Sequence, residues 1–306
     1  MVTTRNVSSP PMKINIEKIA EFTGHQGSVY SLIDGFENDS FFSAGSEGMV
    51  VNWSLNKPDE GEMIAKVEGQ IFSLCLMEET KELLIGTMKG GWHVNDLATK
   101  KEKHFFTNHT DSVFDLKFWS EEKLILSASK DGFLHAWNEK FELVKSLYLT
   151  PDGLRCLEVN GNNFFVGGSD NAIYCFENFE IRQKISDAAN SIFSSAISGN
   201  YLLAGSRDAH IYIYGNENGK WKLIHKIPAH NFTINDIKFH ESKEIFATAS
   251  RDKTIKLWNA ENFELMKVID TKFKTHSHSV NKLLWKGNHL LSCGDDKKII
   301  QWHIDL

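Results

Sequence analysis

The sequence predicts an all-β protein in which one four-stranded unit is repeated seven times and the repeats close into a ring. Three observations lead to this prediction. The 306 residues are rich in Phe (21) and Trp (8) and poor in Pro (5), which favours half-buried strands over long helices. One short phrase recurs seven times along the chain. Alternating segments flank each copy, so each repeat can supply four strands.

The repeated phrase is clearest where it ends in tryptophan. These three copies are SASKDGFLHAW at Trp137, TASRDKTIKLW at Trp258 and SCGDDKKIIQW at Trp302. With four weaker copies, the phrase ends at residues 53, 95, 137, 176, 214, 258 and 302. The steps between these ends are 42, 42, 39, 38, 44 and 44 residues, so the unit has a nearly constant length.

Each copy reads as a hairpin, because an apolar run, a polar turn and an alternating run ending in an aromatic follow one another. A further alternating segment precedes the hairpin, as at residues 112–118, and another follows it, as at residues 141–149. Seven units of four strands give 28 strands. Only four residues follow Trp302, so the last unit lacks an outer strand. We expect residues 16–22 to supply it and so remove an exposed sheet edge.

These features resemble the WD40-repeat family, whose repeats are about 40 to 45 residues long. The resemblance covers residues 14–306, although the Trp-Asp dipeptide is replaced by Trp-Asn at Trp137 and Trp258, Trp-Ser at Trp53 and Trp-His at Trp302. It implies a seven-bladed WD40-type β-propeller closed by an N-terminal strand in the last blade. We expect residues 14–306 to form this single domain and residues 1–13 to form a disordered N-terminal extension.

Four copies carry a histidine four residues before the first apolar residue of the inner strand. The resemblance implies that this histidine bonds the turn acid and a Ser or Thr hydroxyl, which in turn reaches the Trp indole. The implied sets are His25, Ser43, Glu47 and Trp53; His109, Ser127, Asp131 and Trp137; His230, Thr248, Asp252 and Trp258; and His276, Ser292, Asp296 and Trp302. A hydrolase triad would occur once, so recurrence indicates a structural role. The longer Glu47 is expected to strain or loosen its set.

The other three blades lose the histidine and the hydroxyl together, for example as Ala188 with Ala204 in blade 5. Replacing both partners of a buried hydrogen bond by apolar groups can be nearly neutral, whereas replacing one leaves a polar group unpaired. Asp170 and Asp208 stay as predicted turn residues.

A candidate binding surface follows from the residue after the first apolar residue of each inner strand. The resemblance places this ring on the top face around the channel mouth: Tyr30, Phe72, Phe114, Arg155, Phe193, Asn235 and Asn281. Four of the seven are aromatic, and clustered exposed aromatics mark contact sites. The alternative is that a local bulge turns these rings into packing between blades. The adjoining turns predict a two-sided rim, with Lys130, Arg207 and Arg251 opposite Glu47 and Asp295.

The composition excludes several function classes. The net charge of −6 argues against a nucleic-acid partner. Residues 1–11 contain no apolar signal segment, and the four widely spaced cysteines read as reduced, so we expect a cytoplasmic protein with no membrane span. We expect no cofactor and no metal, since His276 belongs to a repeat position and His278 is only its loop neighbour.

The sequence therefore predicts a noncatalytic scaffold that binds a peptide or protein partner on its top face. The alternative is a propeller-based enzyme or small-ligand binder using the central channel. That function needs convergent titratable groups outside the repeated pattern, and Arg155 is the only one predicted at the channel mouth. A role as one subunit of a larger complex is compatible with the scaffold hypothesis.

Overall fold

The computed structural model describes residues 14–305, in which 28 strands form seven four-stranded antiparallel sheets, here called blades 1 to 7. The innermost strands are β2 (Val29–Asp34), β6 (Ile71–Met77), β10 (Val113–Trp119), β14 (Leu154–Asn160), β18 (Ile192–Ser198), β22 (Ile234–Phe239) and β26 (Val280–Lys286). The second strands are β3 (Ser40–Gly45), β7 (Glu82–Thr87), β11 (Leu124–Ser129), β15 (Asn163–Gly168), β19 (Tyr201–Ser206), β23 (Ile245–Ser250) and β27 (His289–Gly294).

The third and outermost strands complete each blade. The third strands are β4 (Met49–Ser54), β8 (Trp92–Asp96), β12 (Phe133–Asn138), β16 (Ile173–Glu177), β20 (His210–Glu217), β24 (Ile255–Asn259) and β28 (Ile299–Asp305). The outermost strands are β5 (Lys57–Lys66), β9 (Lys101–Phe106), β13 (Leu143–Tyr148), β17 (Glu180–Ile185), β21 (Lys220–Pro228), β25 (Leu265–Ile269) and β1 (Asn15–Phe22). One short 3₁₀ helix, Thr271–Phe273, precedes blade 7.

The innermost strands contact one another in chain order, and β26 returns to β2, so the seven blades form a closed ring. The predicted all-β, seven-bladed architecture is confirmed. The expectation of a disordered extension at residues 1–13 lies outside the described residues. Within residues 14–305, no helix has the length and apolar character that a membrane crossing requires.

The ring closes where the two ends of the chain share blade 7. Strand β1 pairs antiparallel with β28, from Asn15 opposite Asp305 to Phe22 opposite Ile299. Phe22 is buried, and its ring packs edge-on against Phe41 of blade 1 at 5.0 Å. The predicted closure by the N-terminal strand is therefore confirmed, and it covers the edge of β28 that would otherwise be exposed.

The core lies between the blades rather than at one central point. Each apolar cluster draws on two neighbouring blades; for example, Trp137 of blade 3 packs with Leu84 and Trp92 of blade 2. The second strands are buried on both faces, as β23 shows along its whole length. Such strands sit between two neighbouring sheets, which explains why their sequences are continuously apolar or small.

The top face is the face that carries the loops entering the innermost strands and the turns between the second and third strands. Every one of these turns places a residue in the left-handed region: Gly48, Gly90, Gly132, Asn171, Ala209, Lys253 and Lys297. This is the geometry of a hairpin in which a left-handed residue follows a type I turn. A Cβ on Gly132 would lie 1.9 Å from the carbonyl oxygen of Thr150, so that turn requires glycine.

Candidate functional site

The innermost strand of every blade carries one bulged residue that has no partner on the second strand. In blade 3, Val113 pairs with Ser129 and Asp115 pairs with Ala128, so Phe114 between them is unpaired. The seven bulged residues are those predicted at the channel mouth: Tyr30, Phe72, Phe114, Arg155, Phe193, Asn235 and Asn281. A bulge re-aims its side chain, and all seven are half-buried.

Five of the bulged side chains touch in sequence and form what we call the aromatic arc: Tyr30, Phe72, Phe114, Arg155 and Phe193. The ring of Phe72 lies 5.3 Å from that of Tyr30 and 5.3 Å from that of Phe114. The guanidinium carbon of Arg155 lies 4.4 Å from the Phe114 ring centre and 4.7 Å from that of Phe193. The bulges pack these rings between blades, as the alternative interpretation predicts, and they leave each ring partly exposed.

The remaining two bulged residues join blades by hydrogen bonds. Asn235 Nδ2 of blade 6 donates to the Val280 carbonyl oxygen of blade 7 at 2.8 Å. Asn281 Nδ2 of blade 7 donates to the Val29 carbonyl oxygen of blade 1 at 3.0 Å. These amides therefore tie the last blades to their neighbours, and the apolar part of the ring is confined to blades 1 to 5.

The acidic side of the predicted rim is already engaged within the protein. The Glu47 carboxylate lies 2.5 Å from His25 Nδ1 and accepts the backbone N–H of Gln26 at 2.6 Å. Asp295 Oδ1 accepts a hydrogen bond from Asn281 at 2.9 Å. The two-sided rim predicted from the sequence is thus weaker on this side, because Glu47 takes the position of the turn acid rather than facing solvent.

The basic side of the rim is uneven. Lys130 forms an exposed ion pair with Asp111 at 2.9 Å. Arg207 and Arg251 are exposed, and neither forms an ion pair with any residue between 14 and 305. Within the predicted basic rim, the cations without an ion-pair partner are therefore those of blades 5 and 6, next to the end of the aromatic arc at Arg155 and Phe193.

Two exposed apolar side chains on the top face were not predicted. Met88 occupies the turn of blade 2 and is 46% exposed; Phe232 occupies the loop entering blade 6 and is 58% exposed. In the sequence, each of them could be recognised as a large apolar residue in a short polar loop. The alternation of residues along strands does not point to such positions. These residues extend the apolar surface beyond the bulged ring.

Blade 6 contains a buried chain of hydrogen bonds that ties its entering loop to its turn and third strand. Trp258 Nε1 donates to Thr248 Oγ1 at 2.9 Å, and His230 Nε2 lies 2.7 Å from the same oxygen. His230 Nδ1 lies 2.9 Å from Asp252 Oδ2. Because a carboxylate only accepts, this network assigns the proton of the neutral ring to Nδ1, and the threonine hydroxyl donates to Nε2. We call this arrangement the histidine staple.

The histidine staple recurs in four blades. Its members are His25, Ser43, Glu47 and Trp53; His109, Ser127, Asp131 and Trp137; His230, Thr248, Asp252 and Trp258; and His276, Ser292, Asp296 and Trp302. The distance from the histidine Nε2 to the hydroxyl oxygen is 2.7–2.9 Å in all four. Glu47 makes the contacts with the histidine and the loop amide that the aspartates make, but within the described residues it accepts no backbone N–H from its own turn, as Asp131, Asp252 and Asp296 do.

The ionisable groups of the staples are buried, and burial and hydrogen bonding shift their pKa values. Burial acts to raise the pKa of Asp131, but hydrogen bonds from His109 and two backbone amides outweigh it and hold that pKa at about 2. Burial lowers the pKa of His230, in keeping with a neutral ring. The Ser127 and Thr248 hydroxyls belong to residues with no solvent exposure. These hydroxyls cannot meet a substrate, so the geometry favours a structural role over nucleophilic chemistry.

Blades 4 and 5 contain a different connection, which was not predicted and which we call the tyrosine latch. In blade 5, Tyr212 donates its hydroxyl to Asp208 Oδ2 at 2.7 Å and accepts the backbone N–H of Ala189 at 2.9 Å. In blade 4, Tyr174 donates to Asp170 Oδ2 at 2.6 Å. The signal was a tyrosine two residues before the terminal aromatic, present in these two copies alone.

Blade 2 has neither connection. Its turn residue Lys89 forms an exposed ion pair with Glu68 of the entering loop at 2.9 Å. Trp92 is fully buried and stacks on Phe106 with ring centres 4.6 Å apart. An exposed ion pair and aromatic packing thus take the place of the staple in this blade.

The channel wall below the arc carries charges that the sequence did not lead us to expect. After the bulge, alternate inner-strand residues face the channel, and six of them are charged: Asp115, Lys117, Glu158, Asp236, Lys238 and Lys282. Lys117 lies 3.7 Å from Glu158, and Lys282 lies 3.3 Å from Asp236. These residues could have been found in the sequence by counting every second residue from the bulge, and not from the start of the strand.

A metal centre has no support in the described part of the chain. No group of three or more His, Cys, Asp or Glu residues between 14 and 305 is placed to hold a metal ion. His276 is committed to its staple, and His278 is exposed and lies 2.9 Å from the Ser277 hydroxyl. The four cysteines are free and buried, and burial raises the pKa of Cys75 to about 12, which makes that thiol unreactive.

The comparisons with known proteins agree with this architecture. The family model described as "WD domain, G-beta repeat" matches residues 100–138, 221–259 and 267–303. These segments cover much of blades 3, 6 and 7, which carry the three staples with an aspartate. The solved WD40 β-propeller domain of Doa1 superimposes with a TM-score of 0.83 at 19% sequence identity, covering 94% of this chain and 96% of that one.

Curated relatives match at low identity. Striatin from Mus musculus is 21% identical over 304 residues, covering 92% of this chain. Transducin-like enhancer protein 2 from Mus musculus is 23% identical over 228 residues, covering 70% of this chain. Eukaryotic translation initiation factor 3 subunit I from Aspergillus fumigatus is 24% identical over 196 residues, covering 54% of this chain. The matches span 35%, 29% and 56% of these relatives.

Proposed function

Because the chain is a WD40-repeat protein folded as a seven-bladed β-propeller, we propose that it is a noncatalytic scaffold that binds a peptide or a loop of a partner protein on its top face. The observation that carries this proposal is the aromatic arc. Five bulged side chains on consecutive blades form one half-exposed surface at the mouth of the channel. Half-buried aromatics held by their neighbours lose little entropy on binding and make good anchors.

Further exposed groups on the same face support the proposal. Met88 in the turn of blade 2 and Phe232 in the loop entering blade 6 add apolar surface, while Arg207 and Arg251 add positive charge. Charged rim residues orient a partner more than they bind it. A peptide crossing from blade 2 towards blade 6 would therefore meet apolar anchors first and cations last.

The alternative, an enzyme or small-ligand binder using the central channel, has weaker support. Five of the six channel charges, all except Lys238, are engaged with one another or with backbone amides within the described residues. Asp115 Oδ2 accepts the backbone N–H of Leu157 at 2.8 Å, and Asp236 Oδ2 accepts that of Leu283 at 2.9 Å. Catalytic groups need to converge on an open position, whereas these acids join neighbouring blades.

Two wider proposals follow from the relatives and the cysteines. One relative is by its name a subunit of a translation initiation factor, which supports a role for this chain in a larger complex. Four free, buried cysteines are typical of a reducing compartment, which supports a cytoplasmic location.

The test is a selection from a random peptide library on the immobilised protein, followed by affinity measurements on the selected peptides. We expect Phe72→Ala and Phe114→Ala each to weaken binding at least about tenfold. The matched control is Phe105→Ala, an aromatic on the outermost strand of blade 2 that is 52% exposed; it should leave affinity unchanged.

Thermal melts accompany each variant, because Phe72 packs between two rings and its truncation costs some stability. Selected peptides that bind both top-face variants as well as the wild type would exclude the arc as the site. A failure of the wild type to select any peptide would contradict the scaffold function itself.

A further inference from the structure

The guanidinium group of Arg155 is held in place but is not neutralised. Its guanidinium carbon lies over the rings of Phe114 and Phe193, and Nε donates to Ser169 Oγ at 2.9 Å. That bond is the only hydrogen bond that the Arg155 side chain makes to the described residues. The side chain forms no ion pair with them. A half-buried cation without a counter-ion is unfavourable unless something else supplies the negative charge.

The orientation of Arg155 leaves one edge of the guanidinium available. Ser169 occupies Nε, and neither Nη nitrogen forms a hydrogen bond to the described residues, so the pair of Nη nitrogens remains. Both Nη atoms reach solvent. Neither forms a hydrogen bond within residues 14–305, and neither is among the fully buried atoms that have no partner there. Two parallel N–H groups in one plane match the two oxygens of a carboxylate.

The neighbouring charges favour an anion at this edge. Arg207 lies in the top turn of the next blade, is exposed and has no ion-pair partner within the described range. Burial and the positive charge of Arg207 both lower the pKa of Arg155. On the other side of the arc, Lys130 is already paired with Asp111. Two cations without an ion-pair partner among the described residues, Arg155 and Arg207, therefore act on each other across blades 4 and 5.

We propose that Arg155 binds an aspartate or glutamate side chain of the partner peptide while apolar residues of that peptide rest on Phe72 and Phe114. This inference rests on the proposed function and specifies the chemistry of the partner. A carboxylate fits better than a phosphate, because a single half-buried guanidinium edge offers two donors and a monoanion loses less hydration than a dianion.

The experiment uses peptides from the library selection, acetylated and amidated so that their ends carry no charge. We expect one selected position to be dominated by Asp or Glu. Each such peptide is compared with its Asp→Asn or Glu→Gln counterpart by calorimetry. The wild-type protein should bind the amide counterpart about tenfold to a hundredfold more weakly, and the difference should shrink as salt is raised.

Variants of the protein test which residue causes the preference for the acidic peptide. Arg155→Met keeps an unbranched stem between the two rings, and the acid and amide peptides should bind this variant with equal affinity. Arg207→Gln, on an exposed turn, should reduce the preference for the acid by a few-fold. The control is Lys130→Met, which removes a top-face cation that is already paired and should leave the preference intact.

The outcomes separate the two proposals. Selected peptides that depend on Phe72 and Phe114 but show no preference for an acid would overturn the Arg155 inference and leave the scaffold function standing. Peptides that depend on neither phenylalanine would overturn both. Tighter binding of a phosphoserine counterpart than of the aspartate peptide would overturn the carboxylate assignment. The acid–amide comparison on the wild type decides for or against the inference even if Arg155→Met fails to fold.

Discussion

Blades 5 and 6 are neighbours, yet they connect the entering loop to the turn by different chemistry. In blade 6 the histidine staple runs from Asp252 through His230 and Thr248 to the Trp258 indole. In blade 5 a single tyrosine hydroxyl on the third strand reaches both the turn aspartate and the loop backbone. The staple fixes four side chains, whereas the latch fixes two side chains and a backbone amide.

Both blades connect the entering loop to the turn, although different residues make this connection. The turn aspartate is present in both blades, because it accepts backbone amides in either arrangement; Asp252 accepts the Thr254 N–H at 3.0 Å, and Asp208 accepts the His210 N–H at 3.2 Å. Once Tyr212 reaches the loop from the third strand, the histidine and the hydroxyl can both be lost. Ala188 and Ala204 then fill their positions and are buried.

The largest effect is expected from Thr248→Val, which preserves shape but removes the oxygen at the centre of the blade 6 staple. The Trp258 indole N–H and His230 Nε2 would both lose their partner in a buried setting. We expect the free energy of unfolding to fall by about 2–4 kcal/mol, measured by urea denaturation. The matched control is Thr275→Val, the same change at a threonine whose buried hydroxyl forms no hydrogen bond within the described residues. A loss below about 0.5 kcal/mol would show that the staple contributes little.

A smaller effect is expected from Tyr212→Phe, which opens the latch of blade 5. The Ala189 N–H loses its acceptor and Asp208 loses one donor, so we expect a loss of about 1–2 kcal/mol in the same assay. Tyr214→Phe is the control, because that hydroxyl on the same strand makes no hydrogen bond to residues 14–305. Equal losses in the two variants would contradict the latch.

The smallest effect is a pH dependence of blade 3, where the staple histidine His109 stacks on a second histidine, His135. Burial first, and then the nearby His109, lower the pKa of His135 in blade 3 to about 4 from an ordinary value of 6.5. Because the unfolded chain binds the proton more readily, His135 should reduce stability as the pH falls from 6.5 towards 4, with no effect above 6.5. Between pH 6 and pH 5 the loss is about 1 kcal/mol.

This pH dependence is measured as the urea midpoint of the wild type and of His135→Phe at each pH. The substitution should flatten the profile in this window, while His278→Asn, at an exposed loop position, should not. An unchanged slope in His135→Phe would show that other groups cause the acid sensitivity. The latches of blades 4 and 5 place no histidine in the equivalent position, so they add nothing of this kind.

The sequence predicts contacts whose residues lie within one repeat better than contacts that depend on the position of a bulge. The staple at His230, Thr248, Asp252 and Trp258 could be predicted because its members have fixed spacings within one repeat, to which the resemblance to WD40 repeats assigns the hydrogen bonds. The bulge at Phe114 could be raised only as an alternative, since a strand alternates by two and gives no sign of where it slips. The channel charges at Asp115 and Lys117 were missed for the same reason, because the bulge reverses which residues face the channel.

The amino-acid sequence alone was enough to establish the number of blades, the four strands in each and the sharing of the last blade by the two termini. These follow from the repeat period and from local patterns of two to eight residues, which strand geometry constrains directly. The contacts across neighbouring blades came from tertiary packing instead. Arg155 lies between rings of the preceding and following blades, and Leu157 donates to Asp115, 42 residues earlier. Such contacts depend on how twisted sheets pack, and no periodicity within one repeat encodes them.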